Sequence, residues 1–510
     1  MLAEVLANLF NLQTLIGLMV GVVGGMFIGA LPGLGATMGI AVLLPITFGM
    51  TPTAALVMLT GIYTAAIYGG SITAILISTP GTPSSAATAM DGYELTKQGK
   101  GLQAVGVATV GSMIGGTLSA VALLLIAPPL ARFSLTFNSP EFFLIAVFGL
   151  TIIGSLSTDN LLKGLLSGVI GLCIAFIGYD TMVGTARYTY RIIHLESGIG
   201  FVPALIGLFS MSQVLIQAEN IDALRRGEKI VLPSIGGRVI PPLKDMIIAI
   251  PNIIRSSVIG IFVGILPGAG GDIGGWLSYN EAKRWSKKKE LFGKGNMEAV
   301  WASEVANNAV TGGSIIPAIT LGVPGSAAAA VLLGGFMIKG LQPGHLLFTT
   351  HGGVTYAIIL GFLIANILMG IIGLLIAKHV VKVANAPTGI LAPVIVVLSV
   401  VGAYAINLSF FDACIMVFFG LVGYIMRKTG FGTAPMVLAL ILGPMAEFGF
   451  NRAILMALDT PMLIYYLSRP ACVVLIMMII FSLFAPLILK LFQRRLEKAE
   501  TKADKNSDDN

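Results

Sequence analysis

The sequence predicts an all-α, polytopic membrane protein with about 10–12 transmembrane segments, some of them broken or re-entrant. Hydrophobic residues make up 56% of the 510 residues, charged residues only 11%, and the mean hydropathy is +0.91. A soluble chain carries about 25% charged residues. Apolar stretches of roughly 20 residues, the length that crosses a bilayer core, recur along the chain. Four motifs also occur twice in the same order, which predicts two homologous halves.

Charge and cysteine content argue against two other classes. The net charge of +7 comes from basic residues in loops between apolar runs, as membrane topology predicts, and does not indicate nucleic-acid binding. The three cysteines lie far apart in apolar segments without metal-ligand spacing, so no metal centre and no cofactor are expected. The N-terminal segment lacks the basic region and the cleavage site of a signal peptide.

The duplicated motifs are separated by 235 to 247 residues throughout. They are LPG at 31–33 and 266–268, GGSI at 69–72 and 312–315, PG at 80–81 and 324–325, and N-x-P at 138–140 and 385–387. Chance does not preserve both order and offset, so duplication is predicted. The expected segments are half one at 1–220, a connector at 221–245, half two at 246–468, an extra transmembrane helix at 469–492 and a disordered tail at 493–510.

Loop charge predicts that the halves are inverted relative to each other. Lysine and arginine favour the cytoplasmic side of a membrane. The loop at 281–294 carries six of them, whereas the equivalent loop at 45–53 carries none. The connector and the C-terminal tail are basic, so both are expected in the cytoplasm, and the N-terminus is expected outside.

The LPG motifs break their apolar runs, and such breaks are tolerated in a membrane only where the backbone is buried in protein or lines a wet cavity. The second part of a broken helix presents free N–H groups and a positive dipole end. In secondary transporters, paired broken helices build the substrate site near mid-membrane. The residues predicted to contact substrate here are Gly33, Gly35, Thr37, Gly268, Gly270 and Gly271.

The PG motifs predict a second pair of breaks. Each follows GGSI after a short apolar stretch and continues into small residues, a pattern that suits a re-entrant tip followed by a new helix. The residues predicted to contact substrate here are Thr79, Gly81, Thr82, Ser84, Gly325 and Ser326. The alternative is close helix packing, in which glycine and other small residues are also common.

Five polar residues near these motifs are candidates for contact with a coupling ion or with substrate: Asp272, Asn307, Asn308, Ser71 and Ser314. The two asparagines alternatively form hydrogen bonds between helices. Asp272 is alternatively a charge that stabilises a helix N-terminus.

Longer segments carry a family resemblance. GALPGLGAT, GILPGAGGDIG and NSPEFFLIAVFGL, with YGGSITAILISTPGTPSSAATAMDGYELTKQGKG and NNAVTGGSIIPAITLGVPGSAAAAVLLGGFMIKGLQPG, closely resemble the large membrane subunit of the tripartite tricarboxylate transporters. The resemblance extends over about residues 10 to 490.

The resemblance implies a bacterial inner-membrane permease with two protein partners. One is a small membrane subunit of about four helices, and the other is a periplasmic solute-binding protein. It also implies transport driven by a gradient of Na⁺ or H⁺, with citrate-like tricarboxylates or dicarboxylates as substrates. An elevator-like movement is implied only by analogy between folds.

Two other classes remain as alternatives. A stand-alone ion-coupled organic anion carrier would need no binding protein. An intramembrane enzyme is not expected, because residues 269–272 read Ala-Gly-Gly-Asp instead of Gly-x-Gly-Asp, and neither Gly-x-Ser-x-Gly nor HExxH occurs.

Overall fold

The computed structural model describes residues 1–31, 34–151, 161–180, 182, 184–219, 238–266, 270–383, 391–458 and 460–480. The first half contains helices α1 (Leu2–Leu9), α2 (Leu12–Ala30), α3 (Ala36–Leu43), α4 (Pro52–Ile77), α5 (Ala86–Lys97), α6 (Gly101–Phe133), α7 (Ser139–Thr151), α8 (Leu161–Ala175), α9 (Ile193–Glu196), α10 (Phe201–Ile206) and α11 (Ser212–Glu219).

The rest of the chain continues with helices α12 (Leu243–Ile265), α13 (Gly270–Trp285), α14 (Met297–Leu321), α15 (Ala327–Ile338), α16 (His345–Thr349), α17 (Gly352–Val383), α18 (Leu391–Asn407), α19 (Phe410–Lys428), α20 (Thr433–Ala457), α21 (Met462–Leu467) and α22 (Pro470–Ile480). Across the described ranges, the strands are limited to one antiparallel hairpin, β1 (Gly178–Tyr179) and β2 (Ala186–Arg187). The predicted all-α class is therefore confirmed.

Within the described residues, seven helices are long and apolar enough to cross a membrane: α2, α4, α6, α12, α17, α19 and α20. A further seven apolar helical segments have 10–17 residues each. A full span takes about 20 residues, so each of these helices is shorter than a complete crossing. The chain is a multi-pass membrane protein, and the count of about 10–12 crossings stays a prediction.

Two long helices, α4 and α14, form the centre of the protein. Every residue from Thr53 to Leu76 and from Ala299 to Thr320 is buried. Both helices are rich in alanine, glycine, serine and threonine, and a helix that buries all of its faces packs against neighbours on every side. Small side chains let those neighbours approach closely.

Helix α2 packs against α4 through glycines spaced four residues apart, at positions 17, 21, 25 and 29. A Cβ atom on Gly25 would lie 2.7 Å from the carbonyl oxygen of Ile62. A Cβ atom on Gly29 would overlap the carbonyl oxygen of Ala66. The two backbones are therefore in direct contact over about three turns, which only glycine permits.

The second half repeats this packing between α12 and α14. A Cβ atom on Gly264 would lie 2.6 Å from the carbonyl oxygen of Val310, and one on Gly260 would overlap the carbonyl oxygen of Ala306. These contacts are at the positions equivalent to those of the first half, as two homologous halves would produce. The inverted orientation stays a prediction, and most of the connector and the tail, at 220–237 and 481–510, lie outside the described residues.

The inverted arrangement predicts that the loops at 45–53 and 281–294 lie on opposite sides of the membrane. Thr51 and Lys288 are both exposed, so each accepts a cysteine probe. In a variant in which Cys173, Cys414 and Cys472 are replaced by serine, a membrane-impermeant thiol reagent should modify a cysteine at position 51 in intact cells. A cysteine at position 288 should react only after permeabilisation. Equal labelling of both in intact cells would contradict the inverted arrangement.

The glycine contact predicts a large difference between two neighbouring substitutions on α2. Gly29→Ala places a methyl group on the carbonyl oxygen of Ala66, so it should destabilise the protein by about 1–3 kcal/mol. Gly24→Ala is the matched control, because its Cβ meets only the Leu43 side chain at 3.7 Å and alanine favours a helix. The melting temperature of the purified protein should fall for Gly29→Ala and not for Gly24→Ala. Equal melting temperatures would refute a contact this close.

Candidate functional site

The first predicted helix break is confirmed. Helix α2 ends at Ala30 and α3 begins at Ala36, while Pro32 and Gly33 lie outside the described residues. Gly35 is the N-cap of α3, with φ −56° and ψ 174°. Because the first N–H groups of a helix have no partner within it, the start of α3 offers backbone donors next to Gly35. Thr37, in this first turn, is partly exposed.

The second break is confirmed at the equivalent place. Helix α12 ends at Ile265 and α13 begins at Gly270, and the residues between 266 and 270, which include Gly268, lie outside the described part of the chain. Gly270, Gly271 and Asp272 form the first turn of α13. The side chain of Asp272 lies outside the part of the chain that the structure describes. The ion-ligand and helix-charge hypotheses for Asp272 therefore both stand.

The first PG tip rests on the end of the broken helix of its own half. The backbone N–H of Gly81 donates to the carbonyl oxygen of Gly70 at 3.1 Å. A Cβ atom on Gly81 would overlap the carbonyl oxygen of Gly29, the last glycine of α2. Close packing thus explains why glycine is needed at position 81. The same contact places the first PG tip next to the first helix break.

The second PG tip repeats these contacts. The backbone N–H of Gly325 donates to the carbonyl oxygen of Ser314 at 3.4 Å, and a Cβ atom on Gly325 would overlap the carbonyl oxygen of Gly264. Each half therefore joins its break, its PG tip and its GGSI motif in one cluster. Three of the four duplicated motifs, LPG, GGSI and PG, therefore correspond to proximity within each half.

Of the three hydroxyl groups predicted to contact substrate at the first PG tip, one is exposed and two are buried. Thr82 and Ser84 are buried and share a hydrogen bond at 3.1 Å, while Thr79 is exposed and donates to the carbonyl oxygen of Ile77. The methyl group of Thr82 lies 4.0 Å from the position of a Cβ atom on Gly35. The first tip and the first break are therefore immediate neighbours.

The second tip contacts the first half through Tyr63, which the sequence analysis did not single out. The Tyr63 hydroxyl lies 2.8 Å from Ser314 Oγ and 2.7 Å from Ser326 Oγ, and all three groups are buried. Ser326 also caps α15, because its Oγ accepts from the backbone N–H of Ala329 at 3.1 Å. A tyrosine in the middle of an apolar helix was the available signal, since its hydroxyl needs a partner when buried.

The helix after the second break contacts the first tip in turn. A Cβ atom on Gly275 of α13 would lie 3.2 Å from the backbone oxygen of Ser84 and 3.5 Å from that of Ser303. Contacts between the halves thus join residues of the PG tips and the GGSI motif to two partners outside the motifs, Tyr63 and Gly275. A cavity of about 570 Å³ borders the second break at Leu266, but its lining is apolar, as a lipid-facing crevice would be, and unsuited to a carboxylate.

A buried carboxylate lies where the halves meet, and the sequence analysis did not select it. Glu304 of α14 is 0% exposed. It accepts hydrogen bonds from the hydroxyls of Thr88 on α5 and, at 2.8 Å, Ser112 on α6. An acidic residue within a buried apolar helix is by default a functional candidate in a membrane protein, and that signal was present in the sequence.

Two of the predicted ion-contact residues, Ser71 and Asn307, lie beside the Glu304 carboxylate. Both are buried, and Ser71 Oγ and the Asn307 amide lie within reach of the carboxylate without meeting the distance and angle of a normal hydrogen bond to any described residue. Asn308 points elsewhere, donating to Thr64 Oγ1 at 3.0 Å. Asn308 thus bonds a neighbouring helix through its Nδ2, as one of the two alternatives predicts, although its Oδ1 has no hydrogen-bond partner within the described residues.

The fold and these contacts define a class: a polytopic helical membrane protein with paired broken helices, an arrangement that also occurs in secondary transporters. The chain matches the tripartite tricarboxylate transporter TctA family over residues 15–438. It therefore belongs to that family, the large membrane subunit of these transporters, as its motifs predict.

Two relatives from Agrobacterium vitis accompany this match. One, described as an uncharacterized 52.8 kDa protein in the TAR-I ttuC' 3' region, is 36% identical over 438 residues, which cover 86% of either chain. The other, described as an uncharacterized protein in the TAR-II ttuC' 3' region, is 34% identical over 198 residues, or 39% of this chain and 82% of the relative. No solved structure matches the chain.

The Tyr63 contact predicts a measurable coupling between the halves. Tyr63→Phe leaves the buried hydroxyls of Ser314 and Ser326 with one partner fewer, so it should destabilise the protein by about 1–3 kcal/mol. Tyr190→Phe, at a tyrosine that is 82% exposed, should leave the melting temperature of the purified protein unchanged.

A double-mutant cycle isolates the interaction. Tyr63→Phe should cost much less stability when it is added to Ser314→Ala/Ser326→Ala than when it is added to the wild type. Equal costs in the two backgrounds would mean that the hydroxyl bridge does not contribute.

Proposed function

We propose that this chain is the permease subunit of a binding-protein-dependent, ion-gradient-driven importer of small carboxylates in the bacterial inner membrane. Citrate-like tricarboxylates and dicarboxylates are the proposed substrates. The observation that carries the proposal is the pairing of two broken helices with two PG tips in a chain of the TctA family. The proposed partners are a small membrane subunit of about four helices and a periplasmic solute-binding protein.

The breaks offer a carboxylate the chemistry that it needs. The N-termini of α3 and α13 present backbone N–H donors and the positive ends of helix dipoles. No lysine or arginine occurs in the LPG or PG motifs. Substrate would therefore be bound by backbone donors, with hydroxyls such as those of Thr37 and Thr82 as additional donors.

The absence of a lysine or arginine from the motifs favours coupling to a cation. A fixed arginine or lysine in the membrane centre costs about 2.5–3.5 kcal/mol of insertion free energy. A cation that travels with the substrate would supply the positive charge only when it is needed. This gives a physical reason for ion-driven uptake of an anion by this chain.

The direct test is uptake of labelled carboxylates into proteoliposomes that contain the chain, the small membrane subunit and the binding protein. We expect accumulation that requires the binding protein and an imposed Na⁺ or pH gradient. Accumulation that is independent of the binding protein would favour a stand-alone anion carrier. No accumulation of any carboxylate in a panel of tricarboxylates and dicarboxylates would refute the proposal.

Gly35 provides a sharp probe of the proposed binding site. Thr82 is the one described residue within 4 Å of its Cβ position, at 4.0 Å, and its φ of −56° suits any residue. Gly35→Val should therefore fold normally yet cover the backbone donors of α3. We expect a loss of at least ~10-fold in substrate affinity, a free-energy loss of about 1.4 kcal/mol.

Gly49→Val is the matched control, because no atom lies within 4 Å of its Cβ position and it is not part of a break motif. Affinity and melting temperature are measured for both purified variants. Wild-type affinity in Gly35→Val would indicate that the first break serves packing instead of binding.

A further inference from the structure

Glu304 lies at a junction of four helices. Its own helix, α14, belongs to the second half, whereas Thr88, Ser112 and Ser71 come from α5, α6 and α4 of the first half. The side chain is 0% exposed. Its surroundings are therefore built by both halves and are closed to solvent in this conformation.

An ionised Glu304 would have no basic partner among the described residues. None of the ion pairs formed within the described residues includes Glu304. The hydroxyls of Thr88 and Ser112 donate to it, and Thr88 Oγ1 also lies 2.9 Å from Ser303 Oγ. Hydroxyl donors orient a carboxylate but do not cancel its charge, and an uncompensated buried charge is strongly unfavourable.

The same cluster contains oxygen atoms without partners. Ser71 Oγ and the Asn307 amide lie within reach of the carboxylate, but neither meets the distance and angle of a normal hydrogen bond to any described residue. Buried polar groups nearly always have partners, so unpaired ones call for an explanation such as an ion. Together with the carboxylate, these side chains offer oxygen ligands of the kind that hard cations prefer.

The position in the first half that corresponds to Asn307 is occupied by a tyrosine, Tyr63. Tyr63 and Asn307 are related by the offset of 244 residues that also relates Pro80-Gly81 to Pro324-Gly325. Tyr63 fills its position with a ring and bonds Ser314 and Ser326. Asn307 is shorter and leaves its polar atoms unpaired. The duplication has thus produced one closed position and one that can accept a ligand.

We propose that Glu304, Ser71 and Asn307 bind a sodium ion, with Thr88 and Ser112 holding the carboxylate in place. One carboxylate carries one negative charge, so a monovalent cation neutralises the site, whereas a divalent cation would leave a buried positive charge. A proton would also neutralise Glu304, but it bonds to one acceptor only. The unpaired Ser71 and Asn307 oxygens favour an ion with several ligands.

The site suggests how the ion affects the rest of the protein. Thr88 lies on α5, the helix that follows the first PG tip, so an ion at Glu304 would tie this helix to α14 of the second half. Assigning the ion as the coupling cation rests on the proposed function. The binding itself does not, since it is measured without substrate.

The test is equilibrium binding of radioactive sodium to the purified full-length chain in detergent, with potassium replacing sodium to hold ionic strength constant. Wild type should bind sodium saturably, and potassium should compete poorly. Glu304→Gln should weaken binding at least ~10-fold, because it removes the charge at nearly constant shape. Ser71→Ala and Asn307→Leu should each weaken binding several-fold.

Ser112→Ala and Ser119→Ala form a matched pair on α6. Ser112 donates to Glu304, whereas Ser119 donates to the carbonyl oxygen of Gly116 in its own helix. Sodium binding should weaken in Ser112→Ala and stay unchanged in Ser119→Ala. This pair retains Glu304 and so provides the test if Glu304→Gln does not fold.

Several outcomes would overturn the sodium site. They are the lack of saturable sodium binding by folded wild type, equal binding in Glu304→Gln, and equal binding in Ser112→Ala and wild type. Sodium-independent, proton-driven carboxylate uptake would overturn the coupling role of the bound sodium ion but support the proposed function. Sodium binding without carboxylate uptake would support the sodium site but overturn the proposed function.

Discussion

Direct backbone contact between the broken helices and the two buried central helices is the constraint on which this structure depends. Gly29 on α2 and Gly264 on α12 each place the end of a broken helix against a carbonyl oxygen of α4 or α14. A membrane supplies no water to interrupted backbone, so each break must be enclosed by protein. The glycines make that enclosure close, and the PG tips then pack onto the same helix ends.

The two halves share the same backbone packing but differ in the polar residues of their central helices. The contacts of Gly81 with Gly29 and of Gly325 with Gly264 are the same contact made twice. The two central helices differ in their polar side chains. Tyr63 on α4 is hydrogen-bonded to Ser314, whereas Asn307 on α14 lies near Glu304 without a normal hydrogen bond. Two similar halves that differ at these positions are consistent with the proposed binding of two different solutes.

The division of roles follows from the cost of charge in a membrane. Backbone N–H groups at the helix breaks are free of that cost, since they carry only partial charges. When ionised, Glu304 carries a full charge, and the hydroxyls of Thr88 and Ser112 lower the cost of burying that charge without removing it. The hydroxyls alone do not neutralise a buried carboxylate, and the proposed bound cation would supply the opposite charge.

The sequence by itself determined the membrane class, the helix breaks, the duplication and the small-residue character of the motifs. Each of these is local or periodic, because hydropathy, Pro-Gly pairs and repeated order are read along the chain. Tertiary structure alone decided which polar residues meet. Asn307 and Asn308 are neighbours in sequence, yet one lies beside Glu304 and the other bonds Thr64, because successive residues point about 100° apart on a helix. Tyr63 and Ser326 are joined only because α4 of one half packs on the tip of the other, a contact between distant segments that no local pattern encodes.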